Sequence, residues 1–261
     1  GLDKFITKKV TTMEAMFQEC KNLEYLDLSN FDTSNVDNMN LMFRGCNNLK
    51  EIKGLDKFIT KKVKSMKQMF QICYNLEHLD LSNFDTSNIN NMNLMFSECI
   101  NLKEIKGLNK FITNKVTSMT GMFQLCNNLE NLDLSNFDTS NVTNMDMMFA
   151  RCKNLKEIKG LNKFITNKVT SMEGIFLFCG ELEYLDLSNF DISNAKNLRG
   201  LFSECIKLKE IKGLDKFITN KAELMEGMFS SCNELQYLDL SNFDTSNVTN
   251  MDMMFSECKN L

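Results

Sequence analysis

A strict 53-residue repeat constrains this chain more than any other feature. The phrase GL(D/N)KFIT begins at residues 1, 54, 107, 160 and 213. Each 53-residue repeat contains two cysteines, and the ten cysteines of the chain are separated alternately by 26 and 27 residues. The basic unit is therefore a half-repeat. Such a period is typical of stacked units that cannot bury an apolar face alone. We therefore expect one continuous array over residues 1–261, with five double repeats of which the last is truncated, as a fragment of a longer protein.

The two halves of each double repeat differ in one place. The A half contains LDLSNFDTSNV, and the B half contains IKGLDKFITKKV, which is one residue longer. The extra residue lies beside Gly54 and the equivalent glycines of the later repeats. Because glycine readily adopts a bulge or a turn with positive φ, we expect the insertion at that position.

Hydrophobic spacing predicts a helix followed by a strand in each half-repeat. Apolar residues of the first unit lie at i, i+3, i+4, i+7 and i+10, one face of a short helix. They are Met13, Met16, Phe17, Cys20 and Leu23. Asn38 and its equivalents stand where the N-cap of such a helix belongs. Leu26 and Leu28 then alternate with polar residues, as in a strand with one buried face.

These elements predict an α/β solenoid of about ten coils of 26 or 27 residues. Parallel strands repeat at about 4.8 Å, whereas packed helices need about 8–10 Å. A coil that is thicker on its helical side must curve. We therefore expect a parallel strand sheet on the concave side and short helices on the convex side.

The repeated motif resembles a known family. M-x-x-M-F-x-x-C-x-x-L-x-x-L-D-L-S-x-F-D-T-S-N-V is similar to the BspA-like leucine-rich repeat of bacterial and some protist surface proteins, in its 26-residue form. The similarity covers essentially the whole chain. It implies a right-handed leucine-rich-repeat-like solenoid in a secreted or surface-displayed protein, often one involved in adhesion or host contact.

The cysteines allow three chemical interpretations besides packing. A metal site needs clustered ligands, yet no two cysteines are closer than 26 residues. A catalytic thiol needs a base, and the chain has one histidine. Disulfides between neighbouring coils would need Cα atoms within about 7 Å; a thinner helical side would allow this, but parallel side chains aim poorly at each other. We expect buried free thiols, with no metal site and no cofactor.

Two charged columns alternate in sign from coil to coil. One comprises Asp27, Lys53, Asp80, Lys106, Asp133, Lys159, Asp186, Lys212 and Asp239. The other comprises Glu24, Lys50, Glu77, Lys103, Glu130, Lys156, Glu183 and Lys209. Opposite charges on adjacent strands contribute about 0.2–1 kcal/mol, so we expect each coil to neutralise the next. A self-neutralised face and a net charge of −4 argue against a nucleic-acid partner.

One column between these two is the candidate binding site. The B halves keep glutamate there, whereas the A halves vary. The variable residues are Tyr25, His78, Asn131, Tyr184 and Tyr237. Exposed tyrosine is a favoured interface anchor, and repeat arrays bind partners through such a face. The alternative is that these are surface residues that vary freely.

Two further motifs have weaker ligand-binding interpretations. A threonine column that begins at Thr33 and is broken by Ile192 could bind ice or sugar, but the isoleucine suggests that shape matters more than the hydroxyl. The segment 27–32, DLSNFD, is similar to a calcium loop but lacks the glycine and the glutamate of the EF-hand pattern.

The sequence therefore predicts a non-enzymatic, extracellular or cell-surface module that mediates adhesion or recognition of a protein or glycan through its concave face. No apolar run reaches the ~18–20 residues of a membrane span, so we expect no direct membrane insertion of this segment. No singular constellation of catalytic groups stands out from the repeated columns. The alternative is a structural spacer or coat element, with possible end-to-end self-association.

Overall fold

The chain folds as a solenoid with parallel strands, described over all 261 residues by a computed structural model. Eight coils each contribute a three-residue strand. The strands are β1 (Tyr25–Asp27), β2 (Glu51–Lys53), β3 (His78–Asp80), β4 (Glu104–Lys106), β5 (Asn131–Asp133), β6 (Glu157–Lys159), β7 (Tyr184–Asp186) and β8 (Glu210–Lys212). The predicted repeat solenoid with parallel strands is confirmed. We call the outward side of these strands, together with residues 237 and 239 of the next coil, the strand face.

A second ladder joins the coils away from the strands. Parallel bridges run from Thr12 to Asn38 and onward, coil by coil, to Asn250. Residues 13–20 and their equivalents, which we call the turn segment, follow each bridge. In the first turn segment every second amide donates to the next coil, with N–O distances of 2.7–3.0 Å. The donors are Met13, Ala15, Phe17 and Glu19. The backbone in this part of the coil is therefore hydrogen-bonded between coils and not along a helix.

The predicted convex helices are wrong. The remaining amides close short turns, such as Met16 N–H to the Met13 carbonyl at 3.3 Å. Ala15 and Glu19 adopt left-handed backbone with φ of 54° and 59°, and Ala15 is the third residue of its turn, as a type II turn requires. Because the turns follow one another closely, inward-facing apolar side chains recur every three to four residues along the chain. This is nearly the spacing of one face of an α-helix. Asn38 caps no helix; its side-chain oxygen accepts the Asn40 amide at 3.0 Å and starts a turn.

The single predicted sheet is instead four two-stranded sheets. β1 pairs with β2, β3 with β4, β5 with β6 and β7 with β8. No backbone hydrogen bond joins β2 to β3, β4 to β5 or β6 to β7. We call these three gaps the seams. Each seam follows a B half, so it coincides with the extra residue of the double repeat.

The extra residue lies at a glycine, as the sequence predicts. Gly54, Gly107, Gly160 and Gly213 have φ between 82° and 91°, and each leads into a 3₁₀ turn. These turns are Leu55–Lys57, Leu108–Lys110, Leu161–Lys163 and Leu214–Lys216, with a fifth at Leu2–Lys4. A Cβ on Gly160 would lie 2.5 Å from Ser135 Cα of the preceding coil. Only glycine fits both the backbone angle and this close approach.

Two columns of stacked phenylalanines form the core. The turn-segment column, which includes Phe43 and Phe70, stacks at every step with ring centroids 5.4–5.9 Å apart. The other column stacks across the three seams, as in Phe58 with Phe84 at 6.3 Å, and also between its first two members, Phe5 and Phe31. The seams are thus open between strands but closed by aromatic pairs beneath. The predicted core role of both columns is confirmed.

The cysteines are free, and those from Cys46 to Cys232 are buried, as expected. Burial raises the pKa of the Cys152 thiol to about 12. The sequence did not indicate that each thiol after the first also donates to the phenylalanine carbonyl of the preceding coil. Cys46 Sγ, for example, lies 3.0 Å from the Phe17 carbonyl oxygen. These thiols therefore act as buried hydrogen-bond donors as well as apolar packing groups.

The threonine hydroxyls also join successive coils, a role that the sequence did not indicate when Ile192 suggested that shape matters more than the hydroxyl. Each hydroxyl accepts the amide of a residue in the next coil at 2.7–2.8 Å and donates to the carbonyl of that same residue. The pairs are Thr7–Asp32, Thr33–Ile59, Thr60–Asp85, Thr86–Ile112, Thr113–Asp138, Thr139–Ile165, Thr166–Asp191 and Thr219–Asp244. Ile192 leaves Ile218 without such a clamp.

The coil count and the curvature argument also need correction. Strands define eight coils, not about ten, because the first and last segments join the array without forming a strand. The argument for a concave strand side assumed thick helices on the other side. With hydrogen-bonded turns in their place, that difference in thickness is absent. No helix in the structure has the length and apolar character needed to cross a bilayer.

Candidate functional site on the strand face

The five variable residues lie in a single column on the strand face. Tyr25, His78, Asn131 and Tyr184 are the first residues of β1, β3, β5 and β7, and Tyr237 holds the same position after β8. Because side chains alternate along a strand and the central leucine points inward, these residues point outward. Tyr25, Tyr184 and Tyr237 are 63%, 46% and 75% exposed. The structure thus brings the candidates into one exposed column; that they bind a partner stays a prediction.

A glutamate separates each member of the column from the next. Tyr25 pairs with Glu51 in the strand register, and His78 pairs with Glu104. His78 Nδ1 lies 3.7 Å from Glu104 Oε2. The Lys50 ammonium lies 5.7 Å from the centre of the Tyr25 ring. The aromatic groups therefore stand in a polar, charged surround of the kind found at interface rims.

The charged columns form pairs and not continuous ladders. Lys50 bonds Glu24 at 2.7 Å, and the equivalent pairs at the next three sheets measure 2.6–2.8 Å. Each pair lies within a two-stranded sheet, and none crosses a seam. The hydrogen bond from Lys103 lowers the pKa of Glu77. The expectation that every coil neutralises the next is therefore wrong at the seams.

The other charged column is mostly unpaired. Asp186 with Lys212 at 3.1 Å is its one ion pair. Asp27 accepts the Ser29 amide at 2.9 Å, a local Asx turn that recurs in every A half. The hydrogen bonds from Ser29 lower the pKa of Asp27. Asp32 likewise accepts the Ser34 amide, so the carboxylates of the calcium-like segment serve as turn residues.

Two of the three seams contain recesses in the strand face that the sequence did not predict. A cavity of 750 Å³ lies at the β4–β5 seam, between Ile105 and Leu132. A smaller cavity of 450 Å³ lies at the β2–β3 seam beside His78. The signal for these recesses in the sequence was the alternation of 26 and 27 residues. A B half that is one residue longer cannot follow the same path as the neighbouring A half.

The threonine column is excluded as a surface for ice or sugar. Thr245 in the last coil is exposed, but every member from Thr7 to Thr219 is at most 5% exposed. Their hydroxyls are also committed to the next coil, as described above. The candidate site is therefore confined to the strand face and its seams.

Comparison with known proteins places the chain in a repeat family. The family model described as "Mycoplasma protein of unknown function, DUF285" matches residues 1–104, 72–182, 100–211 and 170–261, which together span the chain. No curated protein matches the sequence.

One solved structure with a TM-score above 0.5 supports the leucine-rich-repeat fold, and two others show weaker similarity. A leucine-rich repeat protein from Bacteroides ovatus is 18% identical with a TM-score of 0.54, over 91% of this chain and 62% of that one. A leucine-rich repeat protein of T. pallidum is 22% identical with a TM-score of 0.46, over 66% of this chain and 72% of that one. A leucine-rich cell surface protein from Faecalibacterium prausnitzii is 17% identical with a TM-score of 0.36, over 84% and 73%. The chain thus spans less than two thirds of the Bacteroides protein, and the predicted leucine-rich-repeat resemblance is confirmed.

Proposed function

The chain belongs to the DUF285 family, and from that premise we propose that it is a non-enzymatic, surface-exposed recognition module that binds a protein or glycan through the strand face. The observation that carries the proposal is the column of exposed Tyr, His and Asn side chains on an otherwise repeated surface. Solenoids present such surfaces to partners, because the fold needs only the inward columns. The leucine-rich-repeat resemblance supports the parts of this proposal that concern location at a cell surface and a role in adhesion.

Tyrosine is the residue to test, because it supplies a large contact area at low entropic cost. The variant Tyr25→Ala/Tyr184→Ala/Tyr237→Ala removes all three exposed rings of the column. We expect adhesion of protein-coated beads to cultured epithelial cells, and signals on a glycan array, to fall about tenfold or more. The melting temperature should stay unchanged, since these rings are not part of the core.

A matched control uses apolar residues outside the strand face. Ile59, Ile112 and Ile165 are 53%, 48% and 47% exposed and lie next to the threonine column. The variant Ile59→Ala/Ile112→Ala/Ile165→Ala should bind like the parent protein. A role for the strand face would be contradicted if the tyrosine variant bound as well as the parent protein. It would also be contradicted if the isoleucine variant lost as much binding as the tyrosine variant.

A structural spacer or self-assembling element is the second candidate function. The near-identity of the repeated units favours it, and Ile6, which is 92% exposed, is the apolar residue to test. Sedimentation velocity distinguishes the two functions. An apparent molecular mass that rises with protein concentration supports assembly, provided that Ile6→Lys abolishes the rise. A monomer at all concentrations contradicts assembly.

A further inference from the structure

We infer that the β4–β5 seam is a binding subsite for an acidic, extended segment of a protein partner. This inference rests on the proposed function, because it assigns one place on the strand face and the chemistry that the place recognises. It concerns the cavity between Glu104–Lys106 and Asn131–Asp133.

The volume of the cavity at a seam depends on which residue of the variable column lines it. Asn131 lines the 750 Å³ cavity of the β4–β5 seam, whereas His78 lines the 450 Å³ cavity of the β2–β3 seam. Tyr184 holds the equivalent position at the β6–β7 seam. The amide of Asn131 is the smallest of these side chains, so it leaves the most open recess. Variation in this column therefore changes which seam can admit a ligand.

The walls of the recess are two unpaired strand edges. In a parallel ladder, alternate residues direct their N–H and C=O groups to the same side. The β4 edge presents Ile105, and the β5 edge presents Asn131 and Asp133; no hydrogen bond links the amides of these residues across the seam. Donors and acceptors thus alternate along the opening. A peptide main chain matches that alternation, which is the basis of strand-edge recognition.

The charges at the seam favour a carboxylate. Lys106 and Lys159 line the cavity, and neither has a carboxylate within 4.0 Å. Lys103 and Glu130, which also line it, are paired with residues outside it, Glu77 and Lys156. The only basic side chain within 4.0 Å of the Glu104 carboxylate is His78, whose Nδ1 lies 3.7 Å from Oε2.

The two remaining carboxylates, Glu104 and Asp133, do not neutralise these lysines by direct contact. Asp133 accepts the Ser135 amide at 3.1 Å, and the Ser135 hydroxyl, together with that amide, lowers the pKa of Asp133. The cations without a direct partner are therefore Lys106 and Lys159, and an acidic side chain on the incoming segment would complement them. A small apolar floor of Ile105, Leu108 and Leu132 would receive an alternate apolar side chain.

The test measures binding of fluorescent peptides to the full chain by anisotropy. The probe alternates glutamate and valine, and the comparison peptides alternate glutamine or lysine with valine. We expect the glutamate peptide to bind, the glutamine peptide to bind several-fold more weakly, and the lysine peptide not to bind. Binding of glucuronate in place of the glutamate peptide, or equal binding of the three peptides, would overturn the inference.

Exchange of the column residues localises the binding. Asn131→Tyr should close the recess and reduce affinity about tenfold or more, and it should fold, because tyrosine occupies the same position in β1 and β7. Tyr184→Asn should open the β6–β7 seam and raise the number of peptides bound per chain. An Asn131→Tyr variant that binds like the parent would refute the site.

The lysines have a matched control. Lys106→Gln and Lys159→Gln should each weaken binding about two- to fivefold and reduce its salt dependence. Lys115 and Lys168 are exposed and bond only the neutral oxygens of Asn88 and Asn141, so Lys115→Gln and Lys168→Gln should have no effect. An equal loss in both pairs would indicate nonspecific attraction and would contradict the subsite.

The outcomes separate this inference from the proposed function. If the tyrosine variant loses cell adhesion while Asn131→Tyr still binds the peptide elsewhere, the subsite fails and the recognition face stands. If the peptide binds at the seam while the tyrosine variant adheres normally, the subsite stands and the wider face fails.

Discussion

Each buried threonine hydroxyl of this solenoid serves two backbone groups of the next coil at once. Thr139 Oγ1 accepts the Ile165 amide at 2.8 Å and donates to the Ile165 carbonyl at 2.9 Å. Because the hydroxyl is buried, losing it leaves backbone groups without a partner, which costs more than the bond contributes. Ile192 favoured the interpretation that shape matters more than the hydroxyl, but in the structure this isoleucine marks the one interior coil where the clamp is missing.

Valine and threonine are nearly isosteric, so they isolate the hydroxyl. Thr139→Val should lower the free energy of unfolding by about 1–3 kcal/mol. At the natural break, Ile192→Thr should be more stable than Ile192→Val by about 1–2 kcal/mol, because the new hydroxyl can clamp Ile218. Chemical denaturation of the four proteins measures both differences. Equal stability of the two residue-192 variants would show that the clamp contributes nothing.

At the scale of elements, the turn segment is where the sequence was least informative. Met13, Phe17 and Cys20 fit the spacing of a helix, and they fit equally a run of turns that each advance three or four residues. Left-handed backbone at non-glycine residues costs about 1–2 kcal/mol each. That cost is offset only when the neighbouring coil receives the hydrogen bonds, as in Phe123 N–H to the Met148 carbonyl at 2.9 Å. One coil by itself contains no signal for that choice.

The two kinds of positive-φ glycine should respond differently to alanine. Gly160→Ala would place a Cβ 2.5 Å from Ser135 Cα at φ 83°, so the strain of about 1–2 kcal/mol from φ is added to a backbone clash. Gly227→Ala has its nearest atom at 3.8 Å and φ 58°, and Ala15 adopts that backbone in the first coil. We expect a loss of more than about 3 kcal/mol for the first variant and about 1 kcal/mol or less for the second. Similar denaturation midpoints would contradict the close contact at Gly160.

At the scale of the whole molecule, the Asx turns repeat down the array and add to one pH dependence. The hydroxyls and the amides of the serines two residues later lower the pKa values of Asp27, Asp80 and their equivalents by hydrogen bonding to the carboxylates. A second set that includes Asp138 behaves in the same way. Because the same turns occur in every A half, their small effects accumulate along the solenoid.

Acid should therefore destabilise the fold. The folded pKa of these carboxylates lies below the unfolded value of about 3.9. Their contribution is fully present above that value and is lost as the pH falls through the folded pKa. We expect the melting temperature to drop steeply below about pH 4. Asp138→Asn keeps an oxygen for the Ser140 amide but cannot titrate, so its melting temperature should fall less; an identical acid profile would contradict this origin.

The sequence by itself determined the repeat, its two alternating lengths, the inward columns, the position of the extra residue at Gly54 and the outward column that runs from Tyr25 to Tyr237. These features follow from the periodicity of the sequence and from the backbone conformation and burial that each residue type allows, which are local properties of the chain. Only the tertiary structure decided that turns replace helices, that the strands pair two by two, and that a recess opens beside Asn131. The physical reason is that each choice depends on hydrogen bonds between coils, whose partners lie 24–30 residues away and are nearly the same in every coil.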